Sequence, residues 1–261
     1  MKKKIIVANW KLNGNTKTIS NFLINFKLHV LPYLKYNTIV ISPSTIYLER
    51  VYNNIQNLNI FLGAQNVDVN IKGSFTGETS ILMLKDIGVK YVIIGHSERR
   101  FFHNETNEII NKKFDLIKKF NLIPILCIGE SQDEKNKNQT KEALKNQLNH
   151  IIKHLGIQAF SNSIIAYEPI WSIGTGISAD PIYVQKIHQF IKNYIYKNQN
   201  DINNIKNLSI QYGGSVNIKN AKNLLEQPDI DGLLVGNSSL IYEDFLKIIK
   251  ISSDIFKKNN I

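Results

Sequence analysis

Four polar residues stand at the ends of short, strongly apolar runs. Asn9 and Lys11 follow Ile5-Ile6-Val7-Ala8, His96 follows Val92-Ile93-Ile94-Gly95, and Glu168 follows Ile164-Ile165-Ala166-Tyr167. Together they would bring one base, one imidazole, one cation and one amide to a single site. Singly, most of them say little. Lys11 is one of 29 lysines and Asn9 one of 33 asparagines, and a lone histidine beside glycine is more often structural than catalytic. Glu168 is harder to dismiss, because a carboxylate closing a buried strand is costly unless it is used or paired. The joint placement carries the reading.

Glycines add an anion site. Ser172-Ile173-Gly174-Thr175-Gly176, Gly213-Gly214-Ser215 and Gly236-Asn237-Ser238-Ser239 each follow an apolar run. Glycine lets a backbone approach a ligand closely, and N–H groups at helix starts bind phosphate. The plainer alternative is that these glycines only make tight turns. Gly174-Thr175-Gly176-Ile177-Ser178-Ala179 also fits a degenerate dinucleotide fingerprint, but it starts six residues beyond its strand and lacks the acidic residue near position 196.

The elements that must position these groups are legible as continuous apolar, β-branched runs. Strands are expected at Ile5–Trp10, Thr38–Ser42, Ile60–Ala64, Tyr91–Gly95, Leu122–Ile128, Ser163–Glu168, Leu208–Tyr212 and Asp231–Val235. Continuous rather than alternating runs belong to parallel strands covered on both faces. Helical patterns lie between them. In Asn104–Phe120, Ile109, Ile110, Phe114 and Ile117 share one face, with Lys112, Lys113, Lys118 and Lys119 largely on the other. Lys141–Leu155 and Ile182–Tyr196 read similarly. Eight strand-then-helix units of about 33 residues each predict one α/β domain over 1–261, a (β/α)8 barrel with a closed parallel sheet surrounded by helices. A doubly wound open sheet would place a phosphate loop after its first strand. Lys11-Leu12-Asn13-Gly14-Asn15 is no such loop. In a barrel the C-terminal strand ends share one mouth, so Asn9, Lys11, His96 and Glu168 converge there, and loops after the seventh and eighth strands commonly hold phosphate.

Composition removes other classes. A single cysteine, Cys127, excludes an intrachain disulfide, and no cysteine pair has metal-ligand spacing. No apolar run reaches the length of a membrane span. The lysine-rich start imitates a signal peptide, but Asn9-Trp10-Lys11 ends its apolar run, so the chain reads as cytoplasmic. The net charge of +11 invites a nucleic-acid reading, yet only three of the 32 basic residues are arginine. Nucleic-acid surfaces favour arginine for bidentate contacts, and abundant Lys, Asn and Ile follow from A/T-rich codons. No nucleic-acid or membrane partner is expected.

Asn9-Trp10-Lys11, Gly95-His96-Ser97-Glu98-Arg99-Arg100, Ala166-Tyr167-Glu168-Pro169-Ile170-Trp171-Ser172-Ile173-Gly174-Thr175-Gly176, Tyr212-Gly213-Gly214-Ser215-Val216 and Asp231-Gly232-Leu233-Leu234-Val235-Gly236 closely resemble the triosephosphate isomerase family, in its order and spacing, over nearly the whole chain. The resemblance implies cofactor-free and metal-free interconversion of dihydroxyacetone phosphate and glyceraldehyde 3-phosphate, a step of glycolysis and gluconeogenesis. Glu168 then matches the general base and His96 the neutral imidazole that polarises the carbonyl, with a short helix from Ser97 aiming its positive end at the ring. Lys11 matches the cation for phosphate and enediolate, with Asn9 as a further donor. Gly174, Ser215, Gly236 and Asn237 match the backbone phosphate grip. Pro169, Ile170, Trp171, Ser172, Ile173, Gly174, Thr175 and Gly176 resemble the lid, with Tyr212 and Ser215 holding it closed.

Glu98 and Cys127 also match family positions, although Cys127 reads first as a small buried hydrophobe rather than as a catalytic residue. Arg99 and Arg100, two of three arginines, suggest ion-pair geometry specific to arginine. Residues Gln65–Thr79, with Gly73 and Gly77, resemble a loop that inserts into a partner subunit, which implies a homodimer with Thr76 at the contact. His29, His103, His150, His154 and His188 show no comparable context and read as surface residues. The chain departs from the usual family pattern at Asn237 (commonly Gly), Ser172 (commonly Ala) and Leu12 (commonly Met). Another phosphate-handling barrel, an epimerase or aldolase, would need a metal cluster or a Schiff-base lysine on a strand. A non-catalytic binding protein on this fold could lose Glu168 or Lys11, and both are present.

Overall fold

The computed structural model describes residues 2–172, 178–197 and 205–259. Eight parallel strands close into a barrel in sequence order: β1 Lys4–Asn9, β2 Asn37–Ser42, β3 Ile60–Ala64, β4 Val89–Ile94, β5 Ile123–Ile128, β6 Ile164–Tyr167, β7 Ser209–Tyr212 and β8 Gly232–Val235. Closure comes from β8 pairing with β1, with Leu234 beside Val7 and Val235 beside Ala8.

Strand geometry explains the unbroken apolar runs. Side chains alternate between the two faces of a strand. Val7, Val40, Tyr91, Ile93, Ile125, Ile164 and Leu234 fill the barrel interior. Their neighbours Ile6, Ala8, Ile39, Ile41, Val92, Ile94, Leu126 and Ile165 pack outward under the helices. Both faces are buried, so most strand positions are apolar, and polar ones such as Asn37 and Gln211 are buried with hydrogen-bond partners.

The helices on that shell include α1 Thr16–Val30, α2 Leu48–Ile55, α3 Ile81–Asp86, α4 Ser97–Phe102, α5 Asn107–Lys119, α6 Gln132–Asn136, α7 Thr140–Leu155, α8 Pro181–Lys197, α9 Ile218–Leu225 and α10 Tyr242–Lys258. Several starts are capped by side chains. Asn15, Ser131 and Asn217 form capping boxes, and Thr106 accepts from Ile109 N at the start of α5.

Two expectations need correction. The helix expected from Asn104 begins at Asn107, because Asn104 has a φ of 51° and cannot continue a right-handed helix. Lys113, expected on the polar face of α5, is buried. Its ammonium bonds Glu105 Oε1 at 2.6 Å and Asn66 Oδ1 at 2.8 Å, so a buried partner has replaced solvent.

Candidate active site

Glu168 is the residue directly after β6, and its N–H donates to Ile128 O at 2.7 Å. It is crowded by glycines that cannot be anything else. A Cβ on Gly129 would lie 1.8 Å from the Glu168 carbonyl oxygen, and one on Gly213 would lie 2.8 Å from its Cγ. The side chain is 2% exposed. Oε2 accepts from Ser97 N at 3.4 Å, while Oε1 finds no hydrogen-bond partner among the described residues. An unsatisfied buried carboxylate oxygen is expensive, and such atoms call for a functional account.

The atom facing Oε1 is His96 Nε2, at 3.5 Å. His96 caps α4, and its Nδ1 accepts from the Glu98 N–H at 3.3 Å. A ring nitrogen that accepts carries no proton, which leaves the ring proton on Nε2, the nitrogen nearer Glu168. The short helix expected from Ser97 is present as α4, with its N-terminus at the imidazole.

Lys11 leaves β1 in a left-handed conformation, with φ at 51°. Its N–H donates to Asn9 Oδ1 at 3.1 Å, and Nζ reaches Glu98 Oε1 at 2.5 Å. Asn9, Lys11, His96 and Glu168 line one cavity of about 160 Å³. The loops after β7 and β8 close the same cavity with Ser215, Gly236 and Asn237. They are tied together by Ser238 Oγ, which donates to Val216 O at 3.0 Å. Ser238, expected in the anion loop after the eighth strand, also lines it, as do Val216, Asn217 and Leu234, to which the sequence reading gave no site role. The signal for Leu234 was its position two residues before Gly236 on an inward-facing strand.

The segment after Glu168 is anchored on both flanks. Ile170–Ser172 forms a 3-10 turn. Trp171 Nε1 donates to Glu130 Oε1 at 2.9 Å, Tyr167 Oη donates to the same oxygen at 3.0 Å, and Lys135 Nζ sits 3.1 Å from the centroid of the indole. Glu130, fully buried, is a further residue that the sequence reading missed. On the far flank, Tyr212 Oη accepts from Ala179 N at 3.1 Å and lies 3.4 Å from Ser172 Oγ. Ile173, Gly174, Thr175 and Gly176, expected in the lid and the phosphate grip, lie outside the described residues.

Cys127 points into the dry barrel interior, where burial, and then the nearby Glu168 carboxylate, push its thiol well above the usual range. That is an inert thiol, not a nucleophile. The arginines do carry geometry. Arg99 Nε bonds Glu105 Oε1 at 2.6 Å, and Arg100 bridges from Gly95 O at 2.7 Å to Asn107 Oδ1 at 2.7 Å. Thr76 lies in a stretch, residues 71–78, that is exposed throughout, with Gly73 and Gly77 at φ of 132° and 93°.

His188 is a third correction. It is fully buried on α8, where Nδ1 sits 3.1 Å from Asp229 O and the ring meets Tyr167 edge to face. Burial holds it down at about 4. Its spacing from Val184, Ile191 and Ile195 marked the buried face of the helix.

Comparison with known proteins agrees with this arrangement. The family model described as triosephosphate isomerase matches residues 4–252. The triosephosphate isomerase of Buchnera aphidicola subsp. Schizaphis graminum is 64% identical over 252 residues, covering 97% of this chain and 98% of its own. That of Buchnera aphidicola subsp. Acyrthosiphon pisum is 64% identical over 258 residues, covering 97% and 99%. The Blochmanniella floridana protein of the same name is 49% identical over 261 residues, covering 99% of each chain.

Proposed function

The chain belongs to the triosephosphate isomerase family, and from that premise we propose how its own residues interconvert dihydroxyacetone phosphate and D-glyceraldehyde 3-phosphate. The reaction moves a proton between adjacent carbons and is redox-neutral, so a base, a hydrogen-bond donor and a cation suffice. Glu168 Oε1 takes the proton from the carbon beside the carbonyl. Negative charge then builds on the carbonyl oxygen, where the Nε2–H of His96 and the ammonium of Lys11 meet it. Asn9 adds an amide donor. A proton also passes from the hydroxyl oxygen of the first carbon to the former carbonyl oxygen, relayed through the His96 imidazole, and Glu168 returns its proton to the neighbouring carbon, completing an isomerisation shared by glycolysis and gluconeogenesis.

Backbone at Ser215, Gly236 and Asn237, together with Gly174, holds the phosphate. Pro169, Ile170, Trp171, Ser172, Ile173, Gly174, Thr175 and Gly176 form a lid that excludes water from the enediolate. Glu98 holds Lys11, and Tyr212 braces the lid flanks.

One observation carries this reading. A buried carboxylate oxygen without a hydrogen-bond partner among the described residues lies 3.5 Å from His96 Nε2, inside the cavity that Lys11 lines. Glu168→Gln keeps the shape and removes the base. Turnover in a coupled assay should fall at least about 10³-fold, the scale of general-base catalysis. A variant within tenfold of the parent would overturn the assignment.

We further propose that the whole chain forms one domain and that it works in the cytoplasm as a homodimer through Gln65–Thr79. Among the described residues no helix is long and apolar enough to cross a membrane. The segments following four consecutive strands, β1 to β4, expose Leu12, Ile46, Phe75 and, on α4, Phe101. Exposed large apolar side chains after neighbouring strands support an interaction surface at this end.

A further inference from the structure

The cation of the site stands on a backbone conformation that its own residue type disfavours. Among the described residues, six that are not glycine have positive φ. Five of them are asparagine, whose short polar side chain tolerates the left-handed region, and the sixth is Lys11. Something outside Lys11 must therefore hold it there.

Three of its atoms are tied. Its N–H is held by Asn9 Oδ1 and its ammonium by Glu98, as described above. Its carbonyl accepts two side-chain donors arriving from different strand ends, Ser44 Oγ at 2.9 Å and Gln65 Nε2 at 3.0 Å. Gln65 divides its amide between Lys11 O and Ser42 O, the latter at 2.9 Å. Ser44 is committed more narrowly. Its carbonyl accepts from Tyr47 N at 2.9 Å and so opens the turn Thr45–Tyr47, which fixes its main chain. The hydroxyl has one proton to give, and that proton goes to Lys11.

We propose that Ser44 is a positioning residue for the isomerisation: its hydroxyl clamps the Lys11 carbonyl and keeps the ammonium aimed into the cavity. The inference rests on the role given to Lys11 above. Ser44 touches no substrate in this account and acts only through Lys11. Because the ammonium serves both the phosphate and the developing oxyanion, losing the clamp should raise KM and lower kcat together.

The test compares Ser44→Ala, which deletes the donor, with Ser44→Thr, which keeps it. Ser44→Ala should lose roughly three- to tenfold in kcat/KM, the scale of one neutral hydrogen bond, and inhibition by inorganic phosphate should weaken in parallel. Ser44→Thr should stay within about twofold of the parent. Three results would overturn the proposal: parental kinetics in Ser44→Ala, equal impairment in Ser44→Thr, or lost thermal stability with unchanged kcat and KM. Should Ser44→Ala fail to fold, Ser44→Cys, with its weaker donor, is read by the same criteria. Lys11→Met measured alongside separates the two layers. If it stays active, the role of Lys11 falls and the Ser44 proposal falls with it. If it is inactive while Ser44→Ala is normal, only the clamp is wrong.

Discussion

Asn237 opens the 3-10 turn Asn237–Ser239 and lines the same cavity as Glu168. Its φ is not positive, so the turn does not require the left-handed tolerance of asparagine. If the phosphate grip is backbone, the side chain is dispensable and the N–H is not. Asn237→Gly should change KM by less than about threefold, below roughly 0.7 kcal/mol at 1.4 kcal/mol per tenfold. Asn237→Pro deletes the donor at the first helical position, where proline fits the turn. A charge-assisted hydrogen bond is worth roughly 1.5–3 kcal/mol, so inhibition by inorganic phosphate should weaken about ten- to hundredfold. Circular dichroism must first confirm folding. A folded proline variant that binds phosphate like the parent would remove Gly236 and Asn237 from the grip.

At the scale of elements, α8 is fastened to the turn before β8 through Asp229. Gln185 Nε2 reaches Asp229 Oδ2 at 2.6 Å, Lys192 Nζ reaches Oδ1 at 2.7 Å, and His188 sits against its carbonyl. Burial, the largest cause, and the charge of Lys4 oppose protonation of His188, while Asp229 favours it. The folded value of about 4 lies below the ordinary 6.5. Between those two pH values the unfolded chain binds the extra proton, so stability rises with pH and is lost as pH falls through the window. At 1.36 kcal/mol per pH unit the full effect is about 3 kcal/mol. Urea unfolding at pH 7 and pH 4.5 should show the parent losing about 2–3 kcal/mol more than His188→Gln does over the same interval. Equal losses in both proteins would mean that another group sets the acid sensitivity of α8.

For the whole molecule, the question is what covers the exposed loop end of the barrel. Residues 71–78 project into solvent, and Leu12, next to the site lysine, is 96% exposed. A second copy docking on this sector would bury both and bring the subunit contact within one residue of Lys11. Thr76→Arg places an unpaired charge in that contact, where burial should cost several kcal/mol. Light scattering should then report monomers, with activity falling alongside. A stable, active dimer would show that the loop lies outside the interface.

Local chemistry alone pointed to the strands, since short β-branched apolar runs such as Ile164-Ile165-Ala166-Tyr167, recurring between amphipathic helical patterns, fit strands covered on both sides. It also placed Glu168, His96, Lys11 and Asn9 at strand ends, which a closed barrel brings to one mouth whatever the details of packing. Tertiary structure alone decided which polar residues leave water. Lys113 reads as a solvent lysine until Glu105 and Asn66, 47 residues away, supply a buried anion and an amide. His188 reads as surface until the segment before β8 arrives over α8. Ser44 is one serine in a loop until the end of β1 brings the Lys11 carbonyl to its hydroxyl across 33 residues. Periodicity is written in neighbouring residues, whereas the cost of burying a polar group depends on a partner that only folding brings within hydrogen-bond reach.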